Sequence, residues 1–164
     1  MIALRPLVRL AARPERTVSA ERCELCMTPI GDAHRHLVEL GTRNVACACQ
    51  ACAILFVQAA AGARYRTVPD RVRKDRRYAL PPDRLGIPVG LAFCVRDSIR
   101  DCVVACYPGP TGIVDADLAA EAWEALAAAT PLATMLEVDV EALLVRSLRG
   151  GEQPSCYLVP ITTA

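Results

Sequence analysis

Three features of the sequence predict an α+β fold, in which a small metal-stapled module precedes an α+β domain built on an antiparallel sheet. The first is Cys23-Glu24-Leu25-Cys26 followed, after 22 intervening residues, by Cys49-Gln50-Ala51-Cys52. The second is a series of short β-rich runs between residues 88 and 161, separated by turn signals. The third is a helical stretch from Asp117 to about Ala129, with Leu118, Ala122 and Leu126 on one face and Trp123 beside them.

Composition sets the bounds. A chain of 164 residues is one ordinary domain, or a metal module plus a compact second domain. Apolar residues make up 53% and aromatics only 4%, so the core must be mainly Ala, Val and Leu. The net charge of +1 selects neither for nor against a polyanionic partner. Nine cysteines with no visible secretory signal, an odd total and metal-type spacing fit a reducing cytoplasm. No stretch approaches the length of a membrane span. Charge is uneven along the chain. Residues 61–84 carry eight basic against three acidic side chains, and residues 85–164 carry four against ten. Two readings follow: attraction between middle and end within the monomer, or a basic docking face.

Along the chain, residues 1–20 read as a poorly ordered lead, with Pro6 and Pro14 interrupting any helix. Residues 21–62 read as the metal module. Cys23 to Cys26 form a knuckle whose backbone N–H groups face the sulfurs. His34 to Leu40 is a strand, Gly41-Thr42-Arg43 a turn, and Asn44 to Ala48 a returning strand. Cys49 and Cys52 then open a helix that Ala59-Ala60-Ala61-Gly62 can end. Knuckle, hairpin and helix in this order make a treble clef; a zinc ribbon, with the second pair on another knuckle, is the competitor.

Residues 63–87 read as a basic connector, with a short strand at Arg64 to Val68, then Arg71, Arg73, Lys74, Arg76 and Arg77, and a boundary at Pro81-Pro82. Residues 88–164 hold the α+β domain. Pro88 to Val95 and Asp101 to Tyr107 are strands around a turn at Arg96-Asp97-Ser98. Pro108 to Gly112 is a loop, Asp117 caps the helix, and Pro131 to Leu136 is a further helical turn. Val140 to Leu148 and Ser155 to Ile161 flank a hairpin signal at Arg149 to Gln153; a helix over Val140 to Leu148 is the alternative.

The four thiols of Cys23, Cys26, Cys49 and Cys52 are the candidate metal ligands. Four thiolates close the tetrahedron around Zn2+, so the role this implies is structural. Cys47 could replace Cys49, or ligate an iron–sulfur cluster, although the common cluster spacings do not match. On a regular strand Cys47 and Cys49 share a face, as do His34 and His36, and either histidine could stand in for a cysteine. Histidines beside such a knuckle resemble the nucleases that use this scaffold. Those need a further histidine in the helix after the last cysteine pair, and residues 53–60 contain none. Cys94, Cys102, Cys106 and Cys156 lie in apolar, strand-like settings and read as core. The run from Arg71 to Arg77, flanked by Tyr65 and Tyr78, offers a nucleic-acid reading, weakened by Asp70 and Asp75. No phosphate-binding loop, dinucleotide fingerprint, nucleophile elbow or catalytic pair appears.

The segments Glu21 to Cys26, His34 to Leu37 and Cys47 to Phe56 resemble an uncharacterised family of bacterial cytoplasmic proteins. The likeness continues through Tyr65 to Pro69, Ile87 to Phe93 and Val140 to Val145, and ends near Tyr157 to Ile161. The resemblance implies association with genes for uptake nickel–iron hydrogenases and their accessory proteins. Members of that family continue past the final strand into a helical segment, whereas this sequence ends at Thr162-Thr163-Ala164. A sheet face lacking that helix would favour a protein partner or a homodimer.

The function these readings favour is a non-enzymatic, zinc-stabilised accessory or adaptor protein with a protein partner, linked to hydrogenase assembly or function. A nucleic-acid-binding regulator using the zinc module and Arg71 to Arg77 is one rival. An enzyme of unassigned activity is the other.

Overall fold

A computed structural model describes residues 21–57, 64–147 and 153–163. The expected lead over residues 1–20, the helix end at Ala59 to Gly62, and most of the turn at Arg149 to Gln153 lie outside the described residues.

The architecture is α+β with two antiparallel sheets. The front module begins with a tight knuckle: Cys23 N–H donates to Thr28 O at 2.9 Å and Met27 N–H to Cys23 O at 2.8 Å. Closing so short a turn puts Met27 in the left-handed region at φ 63°. Strand β1 (Arg35–Glu39) and strand β2 (Val45–Ala48) form the expected hairpin, in register His36 opposite Cys47 and Leu37 opposite Ala46. Helix α1 (Gln50–Ile54) follows immediately. Strand β3 (Tyr65–Thr67), which the sequence places in the connector, pairs with the free edge of β1 and completes a three-stranded sheet. It also holds α1 in place, since Thr67 donates from its hydroxyl to Ala53 O and from its N–H to Phe56 O.

The second sheet has six strands. Strand β4 (Arg73–Asp75) lies at one edge, followed by β9 (Ser155–Pro160), β8 (Glu141–Arg146), β5 (Leu91–Asp97), β6 (Cys102–Gly109) and β7 (Gly112–Asp117). Within the stretch read as strand or helix from Val140, Glu141–Arg146 is thus a strand. Three expectations need correction. β5 runs through Asp97, so the turn falls at 98–101. Pro108 to Gly112 is a tight hairpin inside the sheet, because Pro108 and Gly109 still pair with Ile113 and Gly112. Asp117 ends strand β7, where its carboxylate meets Arg100, and helix α2 (Ala120–Ala129) starts after Ala119 with no side-chain cap.

Helices α2 and α3 (Leu132–Met135) cover one face of the large sheet. Leu126, Leu132 and Leu136 pack there against Cys94, Leu143, Val145, Cys156 and Leu158. Burying each leucine contributes about 1.5–3 kcal/mol. The opposite face carries Val95, Ala142 and Val159. Its end is closed by the front module, where Val38 and Val68 meet Val140 and Ile161. Polar contacts cross the same junction. Arg66 donates to Val138 O at 2.7 Å, and Arg43 lies 3.5 Å from Asp97.

The edge strand β4 is fastened by Asp75. Its carboxylate accepts from the Thr130 hydroxyl at 2.7 Å and from Arg77 N–H at 2.8 Å. These bonds hold the Asp75 carboxyl below the usual carboxylate range. Because the folded pKa is depressed, the stabilisation is complete above the unfolded value of about 4 and is lost as pH falls through the folded one. Urea midpoints of wild type and Asp75→Asn should therefore differ at neutral pH and converge below about pH 4.

Candidate metal centre

The sulfurs of Cys23, Cys26, Cys49 and Cys52 all lie within 4.8 Å of one another. Cys26 Sγ and Cys49 Sγ are 3.7 Å apart. Thiolates at 2.3 Å from a tetrahedral ion have an edge of about 3.8 Å. The donor set therefore fits a single ion, and these four residues can hold a metal such as zinc.

Local sequence explains the convergence. The knuckle brings Cys23 and Cys26 to one side of a tight turn. Cys49 occupies the N-cap of α1, where its sulfur accepts from Cys52 N–H at 3.4 Å, and Cys52 sits in the first turn. The second pair thus rides on a helix start rather than on a second hairpin knuckle. Glu24 links the halves: its N–H donates to Cys47 O at 2.9 Å, and its carboxylate accepts from Cys47 N–H at 2.7 Å.

The electrostatics match a cation site. Burial pushes the Cys23 thiol up, but backbone N–H groups of Cys49, Cys26 and Leu25 outweigh it and bring the pKa down to about 6. The Thr28 hydroxyl and backbone lower Cys26. Cys52 is pushed up to about 12 by the sulfurs of Cys49 and Cys26 beside it. Four thiolates at this spacing repel one another, and a divalent cation at their centre relieves that repulsion.

His34, His36 and Cys47 gather separately. Their ligand atoms also lie within 4.8 Å of one another, apart from the four-sulfur group. The expectation that Cys47 and Cys49 share a face fails for a local reason. β2 ends at Ala48, and Cys49 turns into the helix cap at φ −71°, ψ 161°. A cleft of about 660 Å³ runs beside the module, bordered by Asp32, His34, His36 and Asp70.

The remaining cysteines are placed by the large sheet. Cys94 and Cys156 are fully buried in its core, where burial pushes each thiol up to about 12. Cys102 and Cys106 are part-exposed on β6, two pleats apart. The basic run is partly consumed within the chain. Arg71 Nε and Nη2 donate to the two carboxylate oxygens of the buried Glu141 at 2.6 and 2.8 Å, and Nη2 also reaches Glu137 at 3.0 Å. Lys74 lies over the Tyr157 ring. Arg73, Arg76 and Arg77 are exposed. Nothing in the composition singles out Glu141 as the partner of Arg71. The only signal was the opposite charge of the two segments.

The model of a family of unknown function, DUF5947, matches residues 22–164, a span containing both ligand groups. The chain belongs to the DUF5947 family. Its membership agrees with the resemblance to an uncharacterised family. Comparison of this DUF5947 chain with curated proteins and with solved structures yields no match. Among the described residues of this DUF5947 member, no helix is long and apolar enough to cross a membrane.

Proposed function

We propose that this protein is a non-enzymatic adaptor whose front module is folded by a structural Zn2+ bound to Cys23, Cys26, Cys49 and Cys52 in a treble-clef arrangement. The observation that carries the reading is the four-sulfur cluster with a tetrahedral edge. Such a sphere is closed, so its ion serves the fold and leaves no position for a substrate. Beside it, Leu25 and Met27 on the knuckle and Ile54, Leu55 and Val57 at the end of α1 are exposed, with Leu55 at 74%. Apolar side chains presented on a metal-rigidified module suit a protein partner. The resemblance to hydrogenase-associated proteins makes a hydrogenase or one of its accessory proteins the partner to test, in a cytoplasmic setting.

The basic run favours protein over nucleic acid, because Arg71 and Lys74 are engaged within the chain. The test is a pull-down from native lysate with and without nuclease, comparing wild type with Ile54→Asp/Leu55→Asp. Retention of a hydrogenase-related partner after nuclease, and its loss with the double substitution, is the expected result. A bound fraction that disappears with nuclease would shift the assignment to a nucleic-acid-binding regulator.

A further inference from the structure

We propose that His34, His36 and Cys47 form a second metal site, separate from the four-cysteine cluster, that takes a borderline-soft divalent transition cation and leaves a coordination position open.

The hydrogen bonding of His34 is the starting point. Its Nδ1 lies 2.9 Å from Gly31 O and 3.4 Å from a Glu21 carboxylate oxygen. A carbonyl only accepts, so Nδ1 carries a proton, and Nε2 is the ring atom left to ligate a metal. That Nε2 is buried and has no hydrogen-bond partner among the described residues, in a side chain only 8% exposed. Buried polar atoms are nearly always partnered, and an orphan on a ring locked by a carbonyl is the arrangement of a metal-ligating histidine.

The other two donors are placed by strand geometry. His34 directly precedes β1 and His36 is the second residue of that strand; their ring centroids lie 4.7 Å apart. Register sets Cys47 directly opposite His36 on β2. Leu37, between these positions in parity, packs instead with Cys23 in the core of the four-cysteine side. The hairpin therefore turns His36 and Cys47 away from the face on which Leu37 and Ala48 pack against the four-cysteine side. The backbone of Cys47 is held at both N–H and C=O by Glu24, which fixes the third donor before any ion arrives.

Two imidazoles and one thiolate suit a zinc-like cation better than calcium or magnesium, which prefer oxygen donors. Three protein ligands are the number that leaves zinc a free fourth position. The adjoining cleft of about 660 Å³, bordered by both histidines, gives such a site an entry path.

The test uses the full chain equilibrated by dialysis against buffered free Zn2+. Wild type should hold a second equivalent, and its zinc X-ray absorption should show nitrogen as well as sulfur neighbours. The double variant His34→Ala/His36→Ala should keep the four-cysteine ion, which also reports that the module is folded, and lose the nitrogen signal. Cys47→Ala should weaken the second ion by at least the roughly 10–100-fold that losing an outer-shell partner costs. A single equivalent in wild type with an all-sulfur shell would overturn the site, as would a folded double variant that still binds two. Loss of the sulfur shell with the nitrogen signal retained would instead count against the four-cysteine centre.

Discussion

Replacing Cys23 or Cys52 with Ser should release the ion held by the four sulfurs and unfold the front module. The apolar core of that module is too small to fold it unaided. Its buried members are Cys23, Leu37, Ala48 and Ala53, with Ile30, Phe56 and Tyr65 packed at the margin. Small scaffolds of this kind need a staple. Structural zinc supplies about 10–16 kcal/mol of apparent binding free energy at neutral pH, and that binding free energy is folding free energy. Elemental analysis should show the loss of the four-cysteine ion in Cys23→Ser and Cys52→Ser, together with any ion held on the hairpin that unfolds with it. Circular dichroism should show loss of the hairpin signal, and a strong chelator should do the same to wild type. Cys94→Ser, in the core of the other sheet, should leave the zinc content unchanged. Full metal content in Cys52→Ser would show that the four sulfurs do not share an ion.

The second large effect is expected at Arg71. Glu141 has no exposed surface and takes two hydrogen bonds from the Arg71 guanidinium and one from Glu137 N–H. Arg71→Ala removes the counter-charge and leaves a buried carboxylate. Breaking a buried pair costs several kcal/mol, and the lower end applies here because the Arg71 side chain is 34% exposed and water screens it. A loss of about 3 kcal/mol in urea unfolding is expected. Arg71→Met/Glu141→Gln should lose less than Arg71→Ala, since it removes both charges together. Equal losses would place the stabilisation in the packing of the arginine stem rather than in the charge pair. Arg71 follows the front sheet and Glu141 opens β8, so the pair fastens the segment leading from the metal module to the centre of the large sheet.

Much of the candidate metal site was legible because Cys-x-x-Cys is a local statement. Two residues three apart on a tight turn or a helix start bring their sulfurs together whatever the rest of the chain does. The hairpin between Arg35 and Ala48 was legible for a similar reason, as was the helix carrying Ala122 and Leu126 toward the core, although Leu118 falls before its start. β7 was not, because Gly112 to Asp117 alternates only weakly and ends in an aspartate that also reads as a helix cap. Its strand state comes from pairing with β6 along its whole length.

The sequence by itself determined that two cysteine pairs precede a β-rich domain, and that opposite charges accumulate in its middle and end. Tertiary structure decided which thiols and imidazoles come together. Cys47 and Cys49 are neighbours in the chain but fall in different clusters, because the backbone changes from strand to helix cap between them. Tertiary structure also set the order of the six strands and matched Arg71 to Glu141, 70 residues away. Local spacing is held by covalent geometry, so it can be read directly. Long-range pairing is chosen by the burial and charge compensation of the whole assembly, which no short stretch of sequence contains.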